Sequence, residues 1–310
     1  MTRRGWLLFA ALGVIWGIPY LLIKVAVREI TPASLVFLRT AIGAALLLPV
    51  IVAGRGDLRA LLPRWRPIVA FTIIEMAIPW LLLSDAERHV TSSLAGLFMA
   101  TVPLIGALLS RVSGRHEPLG GRRVVGLGVG LVGVAALVGL DLGASDAGAV
   151  AKLAVVVVGY AVGPMIVARK LSDLPTLEVV AVSLALCAIG YAPVGLAQLP
   201  RALPSLEVIG AVVVLGVLCT ATAFLLFFRL IAEIGPVRST VITYVNPAVA
   251  VAAGVALLGE PFTVGTGVGF VLILAGSWLA TGRAAAAGPG RREAVVQGAG
   301  PAGRLAGGEE

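Results

Sequence analysis

Long apolar runs alternate along the chain with short stretches that carry nearly all of its charge. Ten such windows recur, at about 6–27, 34–53, 67–84, 93–109, 124–140, 147–168, 177–199, 208–228, 239–258 and 262–281. Each approaches the ~20 apolar residues a helix needs to cross the hydrocarbon core of a bilayer. None has the ~10-residue polar/apolar alternation of a barrel strand. The pattern predicts an all-α polytopic membrane protein with ten transmembrane helices. The first window follows Arg3 and Arg4 and runs past Pro19 without a small-x-small cleavage site, so it reads as a span and not as a removed leader.

Composition narrows the class. Of the 310 residues, 59% are hydrophobic and 13% charged, against about a quarter charged in ordinary soluble domains. That excludes a cytosolic globular enzyme, a secreted disulfide scaffold and a disordered chain. Cys187 and Cys219 both lie inside apolar runs and read as small buried hydrophobes. The net charge of +8 would suggest nucleic acid in a soluble protein, but these basic residues separate apolar runs and so report topology; no nucleic-acid partner is expected. With the N-terminus in the cytoplasm, cytoplasmic segments hold eighteen of the 24 Lys and Arg. The opposite side holds Arg28, Arg88, Arg201 and Lys152, and Lys24 and Arg39 remain inside spans. This bias predicts a multi-pass protein of the cell inner or plasma membrane with both termini cytoplasmic. Beyond 282 the chain turns to Ala, Gly, Pro, Arg and Glu without periodicity, and 283–310 is expected to be a disordered cytoplasmic tail.

The two halves resemble each other. Glu117-Pro118 is followed by Gly126, Gly133 and Gly139, and at a shift of 143 the same letters recur as Glu260-Pro261, Gly269, Gly276 and Gly282. Pro103 matches Pro247, and Trp16 matches Tyr160, at a shift of 144. The halves are 1–140 and 147–282, five spans each. Five is odd, so the second copy enters the membrane from the other side, giving two inverted five-helix repeats, a common plan of secondary transporters.

Ten spans in two halves, each closing on a Glu-Pro turn and a glycine-spaced last helix, resembles the EamA-like family of the drug/metabolite transporter superfamily. The likeness covers about residues 5–282. It rests on Trp16-Gly17, Pro247 and Leu258-Gly259-Glu260-Pro261; the first copy departs from it, with Ser113-Gly114-Arg115-His116 before Glu117. The resemblance implies secondary transport, proton-linked or otherwise and often export, of amino acids or other small metabolites. Nucleotide-sugar or lipid-linked substrates stay open as alternatives.

Several motifs are decoys. Gly128-Val-Gly130-Leu-Val-Gly133 matches a dinucleotide fingerprint, but it lies within a span, where glycines permit close helix approach. His116-Glu117 lacks a second histidine at position 120, so no metal site is expected. No phosphate loop and no cofactor signature is present, and a membrane-embedded enzyme would need clustered nucleophile, base or metal ligands that the spans lack.

Ionisable residues inside spans are costly and carry a functional hypothesis. Glu75, near the middle of the third span, can carry a proton, pair with a cationic substrate, or pair with a basic side chain. Arg39 can pair with Glu75 or bind a substrate carboxylate. Lys24 reads as snorkelling, and Asp85 and Glu87 as marks of the external rim. Asn246 precedes Pro247, Tyr244 stands two positions earlier, Trp16 and Tyr20 flank Gly17 and Pro19, and Pro79-Trp80 interrupts the third span. Breaks of this kind line substrate paths. The expected site is Glu75, Arg39, Trp16, Tyr20, Trp80, Tyr244 and Asn246. Glu117, Pro118, Pro247, Glu260 and Pro261 are expected to serve structure. Trp6, Trp65 and Trp278 fit an interfacial belt. The expected partners are a small-molecule substrate, a proton and the lipid bilayer; a homo-oligomer is compatible with the glycine faces.

Overall fold

The computed structural model describes residues 2–54, 56–112, 121–141, 147–235 and 239–281. Among them there is helix and no strand. Glu117, Pro118 and the tail 283–310 lie outside the described residues.

The first apolar run is two helices, α1 (Arg3–Ile15) and α2 (Pro19–Ala26), parted at Trp16, Gly17 and Ile18 because Pro19 has no N–H to continue the ladder. The second is α3 (Pro32–Ala53), started by the Thr31 hydroxyl accepting from the Ser34 N–H and by Pro32 in the first turn. The third begins in a 3-10 turn (Leu58–Arg64) and continues as α4 (Trp65–Phe71), a π turn (Thr72–Ala77) and α5 (Ile78–Ala86). The fourth is α6 (Ser92–Met99) and α7 (Val102–Val112), broken before Pro103; α8 (Gly121–Asp141) follows.

The second half runs α9 (Ala147–Lys170), α10 (Thr176–Ala197), then α11 (Leu206–Gly216), a π turn (Val217–Thr222) and α12 (Ala223–Ile234). A 3-10 turn (Thr240–Tyr244), α13 (Asn246–Leu258) and α14 (Val264–Thr281) close it. The two π turns occupy like places in the two halves, one starting at Thr72 and the other at Val217.

Seven of these helical segments are long and apolar enough to cross a membrane: Arg3–Ala26, Pro32–Ala53, Leu58–Ala86, Ser92–Leu109, Ala147–Lys170, Thr176–Ala197 and Leu206–Ile234. Three shorter apolar helices, Val124–Ala136, Ile242–Leu258 and Val264–Leu279, stand beside them. Valines and isoleucines such as Val50, Val155, Ile189, Val213 and Val271 point outward. In water such a surface would be unstable; against lipid tails it is the expected exterior.

Helices pair across the halves. α8 lies on α14, α3 on α10, and α6 on α13, while α5 packs on α9 and α2 on α11. Glycines set the closest approach. A Cβ at Gly276 would stand 2.6 Å from the Gly130 Cα and 2.7 Å from the Gly126 carbonyl oxygen, and one at Gly133 would stand 2.8 Å from the Ile273 nitrogen. The glycine faces of α8 and α14 are thus spent on each other within one chain.

The buried apolar residues form two clusters. One gathers Leu12, Ile23, Leu97, Leu153 and Leu215 and the other Leu47, Met76, Leu171 and Leu184. Tyr160 of α9 packs against both.

Candidate functional site: a buried cation at the centre of the bundle

Arg39 sits just past the first two turns of α3, and its residue surface is 9% exposed. Its Nε donates to the Thr220 hydroxyl (2.9 Å), and its guanidinium carbon lies 3.8 Å from the centroid of the Trp80 ring. Trp80 is 7% exposed, so the cation–π contact is shielded from water, where such contacts are strongest. Thr220 belongs to the second π turn, and its hydroxyl hydrogen goes to the Leu215 carbonyl oxygen (2.8 Å), leaving a lone pair for Arg39. Tyr20 and Tyr160 both lie within electrostatic reach of Arg39. Among the described residues no carboxylate lies within ion-pair distance of the guanidinium. A buried, stacked, unpaired cation is chemically a receptor for an anionic group.

Glu75 is not its partner, which answers one of the two pairings open to Arg39. The acid lies inside the first π turn, and its carboxyl is laid against Gly163 of α9. Its Oε2 is buried with no hydrogen-bond partner. Gly159, one turn earlier on α9, makes room for the same turn, since a Cβ there would stand 2.5 Å from the Ile74 carbonyl oxygen. Pro79 supplies no N–H to the turn before it, which favours the π geometry. The Tyr191 hydroxyl of α10 donates to the Ala77 carbonyl oxygen at 2.9 Å. The π turn therefore aims a carboxyl into the bundle while a neighbouring helix satisfies a freed backbone group.

The other expected site residues divide. Tyr20 and Trp80 join Arg39. Trp16 instead packs edge-on to Phe224 (6.0 Å) and tilted on Phe227 (4.8 Å) of α12. The Tyr244 hydroxyl donates to the Ser277 carbonyl oxygen (3.2 Å). With its nitrogen turned inward, the Asn246 amide donates to the carbonyls of Gly13 (3.2 Å) and Ile242 (3.1 Å), holding the broken ninth run against α1. Pro247 is buried in the first turn of α13. Trp6, Trp65 and Trp278 are all exposed, in keeping with a belt.

Two neighbours of the site are missing from the sequence-based set. Tyr160 could have been found from its repeat match to Trp16. Thr220 holds in the second π turn nearly the place that Glu75 holds in the first. A third residue departs from expectation. Asp85 does lie at the rim, paired with Lys152 and, at 3.8 Å, with Arg88. Glu87 does not, because the end of α5 turns it inward: it is 0% exposed, and both carboxyl oxygens lack a partner. Lys24, expected to snorkel, donates to the Glu87 (2.6 Å) and Val90 (2.7 Å) carbonyl oxygens and so caps the end of that helix.

Both ends of the bundle carry polar links, and each joins the first half to the second. At the end holding the N-terminus, Arg64 pairs with Asp173 (2.9 Å) and the Thr2 hydroxyl with Glu233. At the opposite end Arg28 meets Glu207 (3.5 Å), and Glu29 accepts from the Ser205 N–H (2.8 Å); Ser205, through its side chain first and its backbone second, holds the Glu29 carboxyl below the usual range. There too the Glu260 carboxylate accepts from the Ser92 N–H (2.6 Å), the Ser93 N–H (2.9 Å) and the Ser93 hydroxyl (2.6 Å), capping α6. Gly259 turns the chain there with φ of 65°, as only glycine does freely.

A helical, lipid-faced bundle with a polar centre and links across its halves is the build of a multi-pass membrane transporter. The chain belongs to the EamA-like transporter family, which matches it twice, over residues 3–139 and 148–282. It is similar to an uncharacterized transporter of Archaeoglobus fulgidus, 25% identical over 280 residues that cover 89% of this chain and 98% of the relative. It also resembles the uncharacterized inner membrane transporter YedA of Escherichia coli, 30% identical over 263 residues, 81% of each chain. A solved structure titled only as the crystal structure of a protein shares the fold, with a TM-score of 0.65 at 22% identity, over 91% of this chain and 98% of that one.

Proposed function

We propose that this transporter is a secondary active carrier, and on its family resemblance an exporter, of small metabolites such as amino acids or related compounds, moved by alternating access. The observation that carries the reading is Arg39, a cation held on Trp80 at the centre of the bundle by one neutral hydroxyl. In that place the anionic group of a substrate is its natural counter-ion, with Tyr20 and Tyr160 beside it and Glu75 as the proton-binding carboxyl. Ten spans in two inverted repeats, with the bounds given above, are supported by the double family match, the pairing of helices across the halves and the like placement of the two π turns. Cytoplasmic termini are supported by the basic bias of the loops.

The test is reconstitution of the full chain in liposomes with an imposed proton gradient and a panel of amino acids and other anionic metabolites. Saturable counterflow of a member of the panel, lost on Arg39→Met, is the expected result. Absence of flux for every compound from folded protein would overturn it.

A further inference from the structure

Glu87 is the buried acid that the central site does not use. It follows α5 at the end of the bundle opposite the N-terminus, is wholly buried, and leaves both oxygens without a hydrogen bond. The groups within electrostatic reach of it come from four other elements: Lys24 and Tyr20 from α2, Glu260 from the turn after α13, Arg39 from α3 and Tyr160 from α9. The Lys24 ammonium is close by, yet it spends its hydrogen bonds on the Glu87 and Val90 carbonyls and not on the Glu87 carboxyl. Beside them the Ser92 hydroxyl is also buried without a partner. Here too Glu260, from the second half, is clamped by three hydrogen bonds on the first turn of α6, from the first half.

We infer that Glu87 is a proton-binding site that holds this end of the transporter closed: protonated, it lets the Glu260 clamp stand, and ionised, it releases it. The physical reason is that an ionised, unbonded carboxylate cannot be kept dry beside a second carboxylate. Loss of the proton draws water in, pulls Lys24 toward Glu87 and sets a second negative charge against Glu260. Burial, the largest influence, pushes the Glu87 carboxyl well above the ordinary carboxylate range; Lys24 opposes this, Glu260 adds to it, and Arg39 opposes it. The sign follows. The closed form binds this proton more tightly than the open, hydrated form, so closure is favoured at low pH and lost as pH rises through the raised value. The inference rests on the reading of the chain as an alternating-access carrier and supplies a proton site separate from Glu75 in the gate itself.

The experiment reads conformation and needs no substrate. In the full chain in lipid nanodiscs, with Cys187→Ala and Cys219→Ala, spin labels are attached through His89→Cys and Phe262→Cys, two exposed positions on either side of the clamp. Raising the pH from about 5 to about 9, upward from the ordinary carboxylate range, is expected to shift the distance distribution to longer values. Glu87→Gln, which mimics the protonated acid, is expected to hold the short distance throughout, and Glu260→Gln to show the long one even at low pH. Infrared difference spectra of the wild-type chain between the two ends of this pH range are expected to contain a protonated-carboxyl band that Glu87→Gln removes. A distance that ignores pH, a Glu87→Gln chain that still responds, or the absence of that band overturns the inference. A pH-driven shift in a chain that transports nothing would leave this site standing and remove the carrier reading; flux with a pH-blind distance would do the reverse.

Discussion

A guanidinium in the middle of an apolar bundle is held here by few atoms. Arg39 has one hydroxyl and one indole face. Lysine at this position keeps the charge but loses the planar fork and the stacked contact. Arg39→Lys is therefore expected to weaken substrate affinity by about tenfold or more, or about 1.4 kcal/mol, in counterflow measurements while the chain stays folded. Unchanged affinity would take Arg39 out of the binding site. Thr220→Val removes the hydroxyl that orients the guanidinium and is expected to lower stability by about 1–3 kcal/mol, read by thermal unfolding in detergent. Much at this scale was legible in the sequence: Arg39, Glu75, Trp80 and Tyr20 stand out because charged and aromatic groups are rare inside apolar runs. Thr220 and Glu87 did not, because depth along a helix says nothing of which way a side chain turns or which helix it meets.

At the scale of elements the breaks carry the candidate site residues. The π turn at Thr72–Ala77 carries Glu75, and its counterpart at Val217–Thr222 carries Thr220, which holds Arg39. α10 packs on the first and α3 on the second, so each half builds part of its site on the other half's bulge. Periodicity predicts a helix through both regions and cannot see the extra residue that widens the turn. Glycine packing makes a cleaner prediction by contrast of sign. Gly276→Ala is expected to destabilise the chain by about 1–3 kcal/mol, because its methyl would meet the Gly130 backbone. Gly210→Ala, with open space around it, is expected to be neutral or to stabilise by up to about 1 kcal/mol through helix propensity. Thermal unfolding of the two variants side by side checks both; equal effects would remove the close α8–α14 contact as a source of stability.

For the whole molecule, the polar links at the two ends have different chemistry. The end with the N-terminus is held by an exposed ion pair and a hydroxyl, while the opposite end adds the half-buried Glu260 clamp. Exposed pairs contribute little, about 0–1 kcal/mol each, so the Arg64–Asp173 pair adds little to the stability of its end. Topology is tested by single cysteines in intact cells. Leu203→Cys and Phe262→Cys are expected to react with an impermeant maleimide from outside, and Leu62→Cys only after permeabilisation; all three positions are exposed. The reverse pattern would invert the orientation.

The sequence alone was enough for the class, because the cost of burying peptide groups and charge in lipid leaves few solutions: apolar helices, basic loops between them, and a few costly charged exceptions inside the spans. It also carried the family, through Trp16-Gly17, Pro247 and the Glu260-Pro261 turn. Which exceptions act together was decided only by tertiary structure. Arg39 and Glu75 are opposite charges inside neighbouring spans and suggest an ion pair, yet the first is turned to Thr220 and Trp80 and the second to Gly163. Asn246 and Tyr244 look like cavity residues and prove to bind backbone carbonyls. Glu87 looks like rim and proves to be core. The reason is rotational: hydrophobicity sets how deep a residue lies, whereas helix rotation and close glycine contacts set whom it meets.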